Sequence, residues 1–385
     1  MTKLYVFSPL SEERPKFNDA YKGLITNISS YSVAKRATSI GEFSIVLPAP
    51  VSIVSNFVND DILWLQDGAK EYWLILRKIV FSTANNSLTL SGTDLKGLLG
   101  NRITLYPTKE QDKGTFGYDV VQGTTEECCI HYVTNNAINA ADSNRNIYGL
   151  VCYKNENLAV GIKDDTYMSR FENLADVINK LTDNAKVIWD IVGKAYEDRT
   201  LKDEFVFSVS PSVDKSKNQS VRSKVILSTR YKNVSELHHE ISNTELKNVI
   251  YATKSGGTLE SDAFTATVYR DEAMPTGINR KEIQLNVSCE DIADIDRYAL
   301  HDATDYVEND SITFETSNPD DYGKVFDLGD IITVVDTFSN AELSDVITAV
   351  TVNKSKSEYK VQITVGFSEP KLVKKIVNKI NKGVF

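Results

Sequence analysis

Three segments, Asp60-Asp61-Ile62-Leu63-Trp64-Leu65, Tyr72-Trp73-Leu74-Ile75-Leu76-Arg77-Lys78-Ile79 and Leu88-Thr89-Leu90-Ser91-Gly92, read as three strands joined by short turns. They are dense in β-branched, aromatic and aliphatic residues, the composition that suits a pleated, half-buried surface. A short amphipathic stretch follows, Asp94-Leu95-Lys96-Gly97-Leu98-Leu99. The pattern returns near the other end as Gly329-Asp330-Ile331-Ile332-Thr333-Val334, Asp345-Val346-Ile347-Thr348-Ala349-Val350 and Tyr359-Lys360-Val361-Gln362-Ile363-Thr364-Val365-Gly366. A helix-like Leu372-Val373-Lys374-Lys375-Ile376 closes this second copy. Both copies predict a three-stranded meander capped by a helix, so the chain carries one β-module twice.

Between and around the two copies the pattern predicts an α+β, mostly β chain. Residues 1–106 form the first β-module, with a strand over Gly41-Glu42-Phe43-Ser44-Ile45-Val46-Leu47-Pro48. Pro48 and Pro50 end that strand, because proline cannot donate to a ladder. Residues 107–202 read as an α/β insertion. It holds a helix from Tyr118 to Ile138, an amphipathic helix with Phe171, Leu174, Val177, Ile178 and Leu181 on one face, and a strand over Val187–Ile191. The second module is discontinuous: 203–258, with strands at 204–209, 224–228 and 246–253, plus 316–370. The polar stretch 211–222 predicts a mobile loop. Residues 259–315 read as a second insertion, with a strand over Phe264–Tyr269 and a helix over Ile292–Val307. Residues 371–385 read as a C-terminal helix entered at Pro370.

The 385 residues carry 41% apolar and 25% charged residues, the profile of an ordinary globular protein. No apolar run reaches the roughly 18–20 residues that span a bilayer. Met1-Thr2-Lys3-Leu4-Tyr5-Val6-Phe7-Ser8-Pro9 lacks a secretory core and cleavage site, which predicts synthesis in a cytoplasm. Cys128, Cys129, Cys152 and Cys289 form no disulfide framework. A formal charge of −10 argues against tight nucleic-acid binding, yet suits a conduit through which DNA slides without sticking.

The search for chemistry yields no catalytic, cofactor-binding or metal-ligating assignment. His131, His238, His239 and His301 are the only histidines, and neither His-Glu-x-x-His nor Cys-x-x-Cys occurs. His238 and His239 are adjacent, so on a strand they point to opposite faces. Asp60-Asp61, Asp164-Asp165 and Asp320-Asp321 fall in expected turns, where Asp suits the backbone. Paired carboxylates also serve glycosidases, which keeps that reading open. Ser255-Gly256-Gly257-Thr258 lacks the Gly-Lys-Ser/Thr ending of a phosphate loop. Cys128 and His131 share a helical face, the spacing of a nucleophile–base pair or of a half-buried face. Lys371, Lys374, Lys375, Lys379 and Lys382, with Leu372, Ile376 and Ile380, suit a helix docked on its own module or one touching an anionic membrane.

Taken in order, several pieces resemble the siphophage tail-hub proteins, whose fold is shared with the baseplate hub of contractile tails. They are Gly41–Pro48, Leu95-Lys96-Gly97-Leu98-Leu99-Gly100-Asn101-Arg102-Ile103, Asn248-Val249-Ile250-Tyr251, Phe326-Asp327-Leu328-Gly329-Asp330-Ile331-Ile332-Thr333-Val334 and Val361-Gln362-Ile363-Thr364-Val365-Gly366-Phe367-Ser368-Glu369-Pro370. The resemblance implies two β-barrel-like tube modules per subunit and a homotrimer presenting six modules around a ring. It further implies a virion tail-tip location, with contacts to a distal tail protein and tail tube, a tape-measure protein and receptor-binding or tail-fibre proteins. Genomic DNA would only pass through the lumen, and no cofactor is implied. Some members carry a peptidoglycan hydrolase after the hub; none is expected after Phe385. The alternatives are a two-carboxylate hydrolase of cell-wall polysaccharide and a tail-tip carbohydrate-binding module, for which Trp64, Trp73 and Trp189 offer stacking surfaces.

Overall fold

The structure, a computed structural model, describes residues 2–48, 57–105, 118–156, 158–163, 165–195, 203–254, 266–270, 274–287, 293, 295–303, 306–339 and 341–367. Pro50, the Ser255–Thr258 turn, Ile292 and the expected C-terminal helix lie outside the described residues.

The chain begins with β1 (Thr2–Phe7), a one-turn helix α1 (Phe17–Ala20), β2 (Tyr21–Ile25), β3 (Ser30–Arg36) and β4 (Glu42–Pro48). The first meander follows as β5 (Ile62–Asp67), β6 (Lys70–Ser82) and β7 (Ser87–Asp94). Its strands are antiparallel, with Trp64 opposite Trp73 and Ile79 opposite Leu90. Phe43, Ile45 and Leu47 alternate inward along β4, the two-residue period of a half-buried strand. The closing element is a 3-10 helix over Leu95–Asn101.

The first insertion contains β8 (Asp119–Gly123), α2 (Thr125–Val133), β9 (Leu150–Cys152), β10 (Asp165–Ser169), α3 (Leu174–Ala185), β11 (Val187–Lys194) and β12 (Glu204–Pro211). The single helix expected over 118–138 is instead strand β8, helix α2 and a wider helical turn over Thr134–Ile138. Thr124 decides the break: its hydroxyl accepts from the Glu127 N–H while the Glu127 carboxylate accepts from the Thr124 N–H, a reciprocal cap that starts a helix. Likewise α3 starts at Leu174, because Asn173 caps the Ala175 and Asp176 N–H groups. Phe171 is therefore off the apolar face, at φ +59 and 58% exposed. β12 pairs with β11 and β9 rather than with the second meander.

The rest of the chain holds β13 (Ile226–Ser228), β14 (Val234–Ser242), β15 (Val249–Lys254), β16 (Ala266–Tyr269), β17 (Glu282–Val287), α4 (Ile295–Asp302) and β18 (Asn309–Thr316). The second meander ends it as β19 (Ile331–Asp336), β20 (Ala341–Ser355) and β21 (Tyr359–Phe367). β15, β16 and β17 form a small sheet against α4, so the expected 246–253 strand belongs with the second insertion. The polar stretch 211–222 is hydrogen-bonded along β19: the Lys215 N–H donates to the Ile331 carbonyl at 2.9 Å and the Lys217 N–H to Thr333 Oγ1 at 3.0 Å.

Both meanders belong to one 13-stranded sheet, ordered β14-β18-β21-β20-β3-β4-β7-β6-β5-β1-β2, with β19 on β20 and β13 on β19. Each module is expected to be barrel-like; among the described residues the sheet is instead open, ending at β2, β14 and β13. One hydrophobic core lies beneath it and takes Leu63, Leu74 and Leu90 from the first module and Val334, Val350 and Ile363 from the second. A second core joins the first insertion to the back of the first module, through Phe7, Phe17, Trp189 and Phe207.

Candidate functional site

The residues with catalytic potential do not converge. Cys128 is fully buried in the second core, while His131 Nε2 lies 2.7 Å from Asp119 Oδ1 and 3.1 Å from Asn135 Nδ2. His239 on β14 lies 3.0 Å from Asp310 Oδ1; His238 is its exposed strand neighbour. Asp60 is a turn residue at φ +76 paired with Arg77. Asp61 is buried, accepting from Lys22 Nζ at 2.8 Å and from the Val58 N–H at 3.0 Å. Asp320 and Asp321 form a 3-10 turn after Pro319. Asp164 and the side chains of Asp165 and His301 lie outside the described residues, as does Cys289. Among the described residues, no group of three His, Cys, Asp or Glu side chains is disposed to hold a metal ion.

The tryptophans are structural in placement. Trp64 and Trp73 stack at 4.9 Å and 8°, and Trp73 lies 4.8 Å from the Phe17 ring. Trp189 is buried, and its indole N–H donates to the Thr38 carbonyl at 2.5 Å and to Asn179 Oδ1 at 3.0 Å.

What the fold does bring together is the joint between the two modules. β3 and β20 run antiparallel from Arg36 opposite Ala349 to Ser30 opposite Ser355. Asp67, the last residue of β5, anchors this joint. It accepts from Lys354 Nζ at 2.6 Å, from the Tyr31 hydroxyl at 2.7 Å and from Thr2 Oγ1 at 3.1 Å. Burial opposes ionisation of Asp67, yet the bonds from Lys354 and Tyr31 hold it below the usual carboxylate range. Lys70 crosses the same joint, donating to the Tyr359 hydroxyl at 2.5 Å and to the Pro319 carbonyl at 3.1 Å. No sequence pattern linked Asp67 to Lys354; the pairing is set by a strand register spanning most of the chain.

A charge cluster, half-buried at Lys35 and Asp190 and buried at Lys96 and Asp94, ties the joint to the first insertion. Lys35 on β3 donates to Asp190 on β11 at 2.5 Å. Burial works against both charges, but their mutual attraction raises the Lys35 pKa and lowers that of Asp190. Lys96 is fully buried: its Nζ donates to the Arg36 carbonyl at 2.6 Å and the Ala37 carbonyl at 3.1 Å, and lies 4.7 Å from the Trp189 ring centre. Burial pushes Lys96 down to about 8 and Asp94 up to about 6. Neither side-chain oxygen of Asp94 has a hydrogen-bond partner among the described residues. Gly41 makes room for it, since a Cβ there would come within 2.6 Å of Asp94 Oδ2.

Exposed apolar residues lie on several strand edges, those of β6 and β14 among them. Beyond the bulge at Arg77, β6 bonds β7, and Val80 and Phe81 are 41% and 63% exposed. β14 bonds β18, and its Ile241 is 65% exposed.

The sequence profile of the siphovirus ReqiPepy6 Gp37-like protein family matches residues 18–367. No curated protein sequence matches the chain. Among solved structures, the chain is similar to the 43 kDa tail protein of prophage MuSo2 from Shewanella oneidensis, with a TM-score of 0.56 and 10% identity over 94% of this chain and 98% of that one. It is also similar to a tail protein from Neisseria meningitidis MC58, with a TM-score of 0.56 and 13% identity over 95% of this chain and 97% of that one. Prophage tail protein gp18 from Listeria monocytogenes EGD-e aligns over the full length of both chains with a TM-score of 0.51 and 10% identity. The chain thus has the fold of phage tail proteins, in agreement with the place in a virion tail expected from its sequence, and it belongs to the siphovirus ReqiPepy6 Gp37-like family.

Proposed function

We propose that this member of the siphovirus ReqiPepy6 Gp37-like family is a structural hub of the tail tip. Three copies form a ring of pseudo-six-fold symmetry that closes the tail tube, supports host attachment and lets DNA pass. The observation that carries this reading is the joint between β3 and β20, which makes two modules of like strand order into one continuous sheet. A chain with two equivalent modules side by side meets a six-fold tube with three copies, because cyclic closure uses up every module-to-module edge.

The partners proposed are those that the resemblance to tail-hub proteins implies. A distal tail protein and the tail tube contact the ring from above, a tape-measure protein occupies its axis, and receptor-binding or tail-fibre proteins attach around it. The net charge of −10 suits a lumen that repels the DNA it conducts. The role is structural rather than catalytic, as the scattered histidines and turn-bound aspartates favour. Light scattering on the purified protein tests the reading, the expected mass being about three times the 43.0 kDa monomer. A low-resolution map of intact particles should place six β-modules in a ring at the tail tip. Particles without this chain at the tip would overturn it, and a strongly basic inner wall would overturn the charge argument.

A further inference from the structure

We propose that neighbouring copies in the ring join by adding the outer edge of β14 of one copy to the outer half of β6 of the next, in the register that β3 takes on β20 within the chain. This rests on the ring reading above and names its joint.

The two modules are the same strand order written twice: β1-β5-β6-β7-β4-β3 and β13-β19-β20-β21-β18-β14. A β-bulge fixes the correspondence to the residue. The middle strand of the first meander is irregular between Leu76 and Lys78, and that of the second between Ile347 and Ala349. Superposing the bulges sets Ile79 on Val350, Val80 on Thr351 and Phe81 on Val352. The same alignment carries the pairs β4–β7 and β18–β21 onto each other, matching buried Ile45 with buried Phe314. It also carries β3 onto β14: Val33 sits opposite Phe43 as His239 sits opposite Ile312.

In the second module, the outer half of β20 is bonded on both sides, by β21 and by β3. In the first, the equivalent half of β6 is bonded by β7, and among the described residues no strand pairs with its other side. β3 is bonded on both sides, by β4 and β20, whereas among the described residues its equivalent β14 pairs with β18 alone. Among the described residues, the fold thus makes one joint internally and leaves both halves of a like joint unpaired. Because the two halves lie on different surfaces, they propagate head to tail, the type of contact that gives a ring when its rotation closes.

The side chains fit that use. Transferring the β3–β20 register places Ile241 opposite Ile79 of the next copy, Glu240 opposite Val80 and His239 opposite Phe81. Phe81 and Ile241 are 63% and 65% exposed, yet Val350 and Val352, the counterparts of Ile79 and Phe81, are 0% and 1% exposed beneath β3. On β6 the chain therefore keeps Phe81 exposed at the position where the internal joint buries Val352, while Ile241 stands where β3 has Lys35. An apolar open edge is otherwise an aggregation hazard.

Disulfide trapping on the full chain tests the register. The control is Ala34→Cys with Thr351→Cys, opposite each other within one chain. The test is Glu240→Cys with Val80→Cys, the equivalent pair between chains. Oxidation should give an internal link in the control, and covalent dimers and trimers in the test that neither single variant forms. A trimer by light scattering that does not cross-link, while the control does, would overturn the joint and leave the ring reading standing. A chain that is monomeric at every concentration and does not cross-link would overturn both. In addition, Phe81→Asp should leave the folded monomer intact and weaken association about tenfold or more; unchanged association would also refute the joint.

Discussion

Asp94 is a carboxyl placed where water does not reach, with Lys96 as its strongest compensating charge. Its pKa, raised by burial to about 6 from an ordinary 3.8, has a definite sign. Between those values the unfolded chain has released the proton and the folded chain still holds it. This group's contribution to stability is therefore full below about pH 4, falls as pH rises, and levels off above about 6. Asp94→Asn should flatten that window, and the variant should gain about 2–3 kcal/mol on the wild type between pH 4 and 7 in urea melts. A difference that does not change with pH would refute the assignment. Asp67 has the opposite character: its pKa is depressed, and its oxygens take three side-chain donors at the joint. Asp67→Ala leaves Tyr31 and Lys354 without their acceptor and should cost about 2–3 kcal/mol, read as a lower denaturation midpoint. Neither role was visible in the sequence, where both are single acids in β-rich stretches. Burial and long-range partners, rather than residue type, define them.

At the level of elements, local chemistry explains both the successes and the failures of sequence reading. The meanders were legible because alternating apolar residues and short turns act over a few residues. Strand β8 was hidden because Val120 and Val121 fit the helical pattern that follows; the cap at Thr124 and Glu127 separates them. Thr124→Ala should cost about 1 kcal/mol and loosen α2, seen as faster amide exchange there without a change in the meanders. Strand β14 was missed because His238, His239 and Glu240 break its apolar alternation, as suits an edge strand. Gly92 lies opposite Leu76 beside the β6 bulge, where a Cβ would come within 2.0 Å of the Ile75 carbonyl oxygen. Gly92→Ala should therefore abolish soluble folded protein, whereas the same change at Gly68, with open space around it but φ +65, should cost only about 1 kcal/mol of thermal stability.

Across the whole molecule, the repeat was legible and its geometry was not. Hydrophobic pattern identifies two modules, but nothing in it says that β3 and β20, some 300 residues apart, share hydrogen bonds. Nor does it say that β12 and β15 leave the second module for the insertions. Those choices depend on which edges remain free once each meander has formed, a property of the assembled chain.

That one chain carries both sides of the β3–β20 joint also has a kinetic side. A ring of six separate modules would need six encounters between free bodies and would come apart on dilution at any of them. Here half of the joints would be made at a local concentration set by the chain itself, which does not fall when the solution is diluted. Only the other half would answer to protein concentration, and the number of modules in any closed ring must be even.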